Sequence, residues 1–202
     1  MSQLKLTADG GGGTVSLKGP STTTGNAAIE LTVPGTGSST LATTATAGKI
    51  LQVVSTTKTD TASTNGQTFV TTGLTKGITI TSGNKVLILI NMYVGQASGY
   101  SVAFRLYNGS SIVTNFQGDD NSGSIRGFAG DFATAVAYGQ VSMSNSFLDS
   151  PSGTSQTYTI FFRNGYGDTS QGHVYLNRPH TNPTHPQSVA ACSTLTLMEV
   201  AA

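Results

Sequence analysis

The chain of 202 residues contains no tryptophan and a single cysteine, Cys192. One cysteine excludes an internal disulfide and a cysteine-built zinc site. With Ala190, Ala191 and Leu195 beside it, it reads as a small buried hydrophobe. Charge is scarce: 9% of residues are charged, against about 25% in ordinary soluble domains. The net charge is +1, which excludes the electrostatic footprint of a nucleic-acid or anionic-lipid partner. No run approaches the ~18 apolar residues of a membrane span, so no membrane insertion is expected. MSQLKLTADGGGG lacks the apolar stretch of a signal peptide, so the expectation is a soluble product of a cytosol. No segment of helical length carries a 3.6-residue apolar stripe. So little charge implies a surface largely covered by partners.

What the chain has instead is glycine, at 25 positions, and Ser and Thr at roughly a quarter of all positions, a bias toward strands and turns. Two textures follow one another. Residues 1–47 hold short apolar alternations, LKL, TVSLKG and AIELTV, separated by DGGGG and GPSTTTGN and followed by PGTGSST. Strands this short cannot bury enough surface to stand alone, so the segment is expected to act as an assembly arm packed on something else. DGGGG is not a phosphate loop, since no Lys-Ser or Lys-Thr follows it.

Residues 48–202 carry longer strands. KILQVVST opens the series. NKVLILINMYVG is apolar on both faces from Val86 to Ile90, the pattern of a strand covered on both sides. In GYSVAFRLYNGSSIV, Tyr100, Val102, Phe104 and Leu106 face one way, while Ser101, Arg105 and Tyr107 face the other. Asn108-Gly109 is expected at the centre of a type I′ hairpin turn. FATAVAYGQVSMSNSF reads as a long strand broken or bulged near Gly139. QTYTIFFRNG places Tyr158, Ile160 and Phe162 inward, and HVYLN and STLTLMEV complete the set. The pattern predicts an all-β domain of about eight to ten strands, in the size range of a jelly-roll β-sandwich. A sandwich leaves one face of each strand open, so the outward apolar residues need a cover. A neighbouring subunit or loops of the same chain can supply it. The subunit is the natural choice, and it predicts a homo-oligomer.

Candidate chemistry is sparse, and no enzyme is expected. Asp149, Ser150 and Ser152 cluster in SFLDSPSGTSQ, but the Gly-x-Ser-x-Gly spacing and following helix of a nucleophile elbow are missing. The stretch reads as a corner between strands. His180 and His185 lie in a proline-rich loop downstream of His173. Near a threefold axis, one such histidine would occur three times and could hold a metal; the simpler reading is a stiff loop. Asp119, Asp120 and Asn121 suit a hard cation, but without a third acidic ligand they read as a solvated turn. No metal or cofactor is therefore assigned. Tyr166, flanked by glycines, is the tyrosine best placed to offer its ring to a sugar or protein.

Two stretches resemble known families. GGTVSLKGPSTTTGNAAIELTVPG and LTVPGTGSSTLATTATAG resemble the N-terminal arms of bacteriophage tail-fibre and virion-appendage proteins of marine and cyanobacterial phages. NKVLILINMYV, YSVAFRLYNGSSIV, SFLDSPSGTSQTYTIFF and STLTLMEV resemble trimeric jelly rolls of the complement C1q and tumour-necrosis-factor type. The resemblance implies a virion structural protein assembled in the host cytoplasm. Residues 1–47 would anchor it to other virion proteins of the tail or capsid, and residues 48–202 would form a homotrimeric knob that touches a host-surface glycan or protein. It places Leu87, Leu89, Leu195 and Leu197 near the threefold axis. A capsid head fibre or decoration protein is the alternative within that reading, and a soluble carbohydrate-binding module the alternative outside it.

Overall fold

The computed structural model describes residues 3–7, 14–18, 49–96, 100–120, 123–132, 138–165, 173–181 and 183–202. The chain divides into two compact units, Met1–Thr44 and Ala45–Ala202. In the first, β1 (Gln3–Thr7) and β2 (Thr14–Lys18) form an antiparallel hairpin whose register sets Leu4 opposite Leu17 and Leu6 opposite Val15. A lone two-stranded hairpin is marginal in water. The third expected strand, AIELTV, lies outside the described residues.

The second unit is built from β3 (Ile50–Lys58), β4 (Ala62–Thr64), β5 (Val70–Thr79), β6 (Lys85–Gln96), β7 (Ser101–Asn108), β8 (Ser111–Ile112), β9 (Ala129–Phe132), β10 (Val141–Asp149), β11 (Ser155–Asn164), β12 (Val174–Leu176) and β13 (Ser193–Val200). Every pairing is antiparallel. One sheet runs β3-β13-β6-β10, with β12 and then β4 continuing beside the far end of β6. The other runs β5-β11-β7, and β8 and β9 share the outer edge of β7. The longer strands nest: β3 pairs with β13, β5 with β11, β6 with β10 and β7 with β9. A long hairpin rolled over itself gives this order, and the result is an all-β jelly-roll sandwich.

Alternation in the sequence fills the space between the sheets. Val86, Ile88, Ile90, Met92 and Val94 of β6 point inward, and so do Val102, Phe104 and Leu106 of β7 and Tyr158, Ile160 and Phe162 of β11. Phe104 lies between Phe162 and Phe128, with ring centroids 6.3 and 6.2 Å away. A 3-10 turn at Thr114–Phe116 delivers Phe116 onto Phe128 and Phe147, at 4.9 and 4.5 Å.

Two buried polar knots tie distant segments together. The Glu199 carboxylate accepts from Gln52 Nε2 at 2.6 Å, from the Thr81 backbone N–H at 2.7 Å and from Asn84 Nδ2 at 2.7 Å. These donors, the Gln52 amide first, pull its pKa from the ordinary 4.5 down to about 2. Asn177, in the left-handed region at φ 65° that asparagine tolerates, donates to the carbonyls of Lys58 and Asp60 and accepts from Ser193 Oγ at 2.6 Å. The loop after β12 packs so closely on β6 that a Cβ at Gly95 would lie 2.3 Å from the Arg178 carbonyl.

Two expectations change. The β7–β8 register pairs Asn108 with Ser111, so Gly109 and Ser110 form the turn. Only Gly109 has a positive φ, 57°, the pattern of a type II′ turn with glycine first rather than type I′. The strand candidate expected to break or bulge near Gly139 does break there: β9 ends at Phe132 and β10 begins at Val141. Cys192 is exposed, not buried, because inward alternation in this stretch begins one residue later, at Ser193.

Candidate functional site

The outward face of the β3-β13-β6-β10 sheet is the feature that the core leaves unexplained. Strand registers assemble it row by row. Leu148 of β10 faces Leu87 of β6, Leu87 faces Met198 of β13, and Met198 faces Val53 of β3. Four apolar side chains therefore cross four strands in one line. Val53 is 54% exposed and Leu148 45%, and Leu51 on the same outward alternation of β3 is 46% exposed. Leu87 and Met198, inside the row, are partly exposed. Fully burying a side chain of this kind is worth about 1.5–3 kcal/mol, so each half-wet residue retains on the order of 1 kcal/mol for a partner to claim.

The next row changes character. Leu89 faces Ser146 on one side and Thr196 on the other, and Thr196 faces Ser55. The Ser55 and Thr196 hydroxyls lie 2.9 Å apart. One row further come Ser144, Asn91, Thr194 and Thr57, with Ser144 Oγ donating to Asn91 Oδ1 at 3.1 Å. The face thus grades from an apolar band to hydroxyl and amide groups within three rows. Such a surface can dock a second protein layer with a greasy centre and a polar margin.

The four leucines singled out from sequence separate. Leu87 and Leu89 are on this outward face and partly exposed. Leu195 and Leu197 are not interface residues: each is 0% exposed within a single protomer, paired with Ile90 and Ile88 and packed in the core. The inward phase of β13 is set by Ser193 and Glu199, whose polar atoms are held by the two knots described above. Leu51, Val53, Leu148 and Met198 went unrecognised because only strand register, which no local pattern gives, brings them beside Leu87. Tyr166 lies outside the described residues.

The cluster at Asp149 forms the corner between β10 and β11. Asp149 Oδ1 accepts the Ser150 N–H at 2.9 Å, and Oδ2 accepts the Tyr158 hydroxyl at 2.6 Å. Burial, then the Asp149 bond and charge, push the Tyr158 pKa up. Gly153, at φ 96°, makes the turn, and Gln156 Nε2 donates to its carbonyl at 2.7 Å. A cleft of about 690 Å³ opens here, lined by hydroxyl and amide groups such as Ser111, Asn115, Ser152 and Ser155, with no histidine on its wall.

His173 and His180 flank the Tyr175 ring, each with its centroid 5.7 Å away, while Arg178 stacks on it at 3.9 Å. Burial, then the charges of His173 and Arg178, lower the His180 pKa. His185 lies apart, stacked on Tyr138 at 4.2 Å. Asp119 caps the Asp120 N–H at 2.8 Å, Asp120 reaches Arg126 at 4.0 Å, and Asn121 lies outside the described residues. Among the described residues, no three His, Cys, Asp or Glu side chains converge in a way that could hold a metal ion.

No family model and no curated protein matches the chain. Among solved structures it is similar to a chain of the T13 viral particle of infectious bursal disease virus, with 13% identity and a TM-score of 0.40 over 85% of this chain and 40% of that one. It is also similar to the VP2 subviral particle of infectious bursal disease virus, with 15% identity and a TM-score of 0.36 over 85% of this chain and 42% of that one. The chain thus spans less than half the length of either. Likeness at this level carries no argument about activity or assembly.

Proposed function

We propose that the chain is a virion structural protein of the tail-fibre or appendage kind, assembled in the host cytoplasm. Residues 1–47 anchor it to other virion proteins, and the jelly roll is displayed as a homotrimer. One observation carries the reading: the line Leu148–Leu87–Met198–Val53 and the adjoining Leu51 form an apolar band that the described residues of one protomer leave open. Sister copies are the cover this reading assigns, and the resemblance of the strand motifs to trimeric jelly rolls sets their number at three. A specific interface buries about 1,200–2,000 Å² in total, a scale suited to a four-stranded face with a polar margin. The knob then works by multivalency, weak contacts at each of three linked copies gaining avidity.

Light scattering on the purified full chain tests this. The expected mass is three times the 20.7 kDa chain; a single-chain mass at micromolar concentration overturns the association. The double variant Leu87→Asp, Leu148→Asp is expected to give a folded monomer, since both positions already contact water in the lone protomer. Imaging of the intact particle then locates the protein. A few copies at a tail support the appendage, and copies spread over the head replace it with the decoration reading.

A further inference from the structure

The outward face of the other sheet, β5-β11-β7, has a different chemistry. Arg105 of β7 faces Phe161 of β11, and Arg163, two residues further along β11, faces Ala103. Both guanidinium groups lean on one ring: Arg105 Cζ is 4.1 Å from the Phe69 centroid and Arg163 Cζ 5.8 Å. Each arginine commits a single nitrogen to a neighbouring carbonyl, Arg105 Nε to Arg126 at 2.7 Å and Arg163 Nε to Asn164 at 2.9 Å. Among the described residues their terminal nitrogens have no acceptor, and no carboxylate lies within ion-pair distance of either.

Beside the pair, Tyr107 and Phe161 lie with ring centroids 4.1 Å apart. Register places Thr71 next to Phe161, and Thr159 between Tyr107 and Thr75. The face is therefore an aromatic floor with two guanidinium groups and a border of hydroxyls. In a chain with only 10 Lys and Arg, placing two of them side by side with no counter-ion among the described residues works against folding. Burial and then the charge of Arg105 lower the Arg163 pKa, the direction expected of that repulsion. A like-charge pair of this kind points to a ligand that relieves it.

We propose that this face binds an acidic saccharide. The paired guanidinium groups take a sugar carboxylate in bidentate fashion, the Tyr107 and Phe161 rings contact the apolar sugar face, and the threonines meet its hydroxyls. Nucleic acid fits less well, because it needs a track of cations along successive phosphates whereas this cluster is compact and the chain nearly neutral. The platform gives the display reading a ligand class and rests on that reading only for its avidity, since it lies on the sheet opposite the association band.

Titration calorimetry and surface binding with the full chain provide the test. The probes are polygalacturonate, alginate, hyaluronate and polysialic acid, the carboxyl-reduced form of polygalacturonate, and a single-stranded oligothymidylate. At least one acidic polysaccharide is expected to bind. If it is polygalacturonate, carboxyl reduction should abolish binding. Arg105→Gln and Arg163→Gln should each weaken it roughly tenfold or more, the scale of a lost charge-assisted hydrogen bond, with the melting temperature checked to confirm folding. Phe161→Leu, which keeps the bulk and removes the ring, should weaken it less. The monomeric Leu87→Asp, Leu148→Asp variant should keep per-site affinity, which separates failure of this proposal from failure of the trimer. No binding to any acidic polysaccharide, equal binding to a reduced one, tighter binding to the oligothymidylate, or native affinity in folded glutamine variants would each overturn it.

Discussion

The two sheets share one core and turn opposite chemistry outward. On the β3-β13-β6-β10 sheet, Leu148, Leu87, Met198 and Val53 form a line without charge, followed by two rows in which serine and threonine flank Leu89 and Asn91. On the β5-β11-β7 sheet, Arg105, Arg163, Phe161 and Tyr107 occupy outward positions, and the Phe69 ring, just before β5, meets both guanidinium groups. The inward sets are alike, aliphatic and aromatic residues almost fully excluded from solvent. Core packing therefore explains why the sandwich forms and says nothing about what each face is for. The first face is suited to another protein sheet and the second to a charged, hydroxylated ligand, which lets one small fold assemble and bind on separate surfaces.

The largest effect expected attacks the shared core. Leu197→Ala should cost about 2–5 kcal/mol in denaturant unfolding of the monomeric variant and damage both faces together. An effect confined to association, with binding untouched, would return Leu197 to the interface. Next, the Leu87→Asp, Leu148→Asp pair should abolish the oligomer and spare saccharide binding; loss of both would join the two faces into one functional unit. Acid comes third. Glu199 has a folded pKa of about 2 against an ordinary 4.5, so its contribution is whole above pH 4.5 and disappears as pH falls toward 2. Thermal melts should show the loss over that window, and Glu199→Gln, less stable at neutral pH, should flatten that part of the profile. The smallest effect belongs to the β10–β11 corner. Tyr158→Phe removes the 2.6 Å bond to Asp149 and should cost about 1 kcal/mol without altering either face.

Sequence periodicity revealed the fold class, the long strands β3, β6, β7, β11 and β13 and the inward sets of β7 and β11, because alternation is a local property. It gave no sign of β5. VTTGLTKGIT offers Leu74 and Ile78 as its buried aliphatics and fills another inward place with Thr72, whose hydroxyl donates to the Ile160 carbonyl at 2.7 Å. Period alone also leaves the sign of a strand open. In STLTLMEV the leucines share a phase with Ser193 and Glu199, which look like surface residues. Burial of Glu199 depends on Gln52, 147 residues away in sequence, and no local pattern carries that information. The arginine pair was half legible: Arg105 and Tyr107 fall on the outward phase of β7, but their meeting with Arg163 and Phe69 requires the β7–β11 register.

The nesting of the sandwich's first strand, β3, with its last, β13, carries a consequence for biosynthesis. β13 is inserted between β3 and β6, so during translation the ribosome has extruded nearly the whole sandwich while its central slot is still vacant. Closure must wait for the stretch 193–200, and long-range pairing of this kind zips slowly, in about milliseconds to seconds. In that interval the slot is open to any strand of matching pattern, a neighbouring nascent chain's β13 included, and exchange of that kind is the general hazard of such late closure.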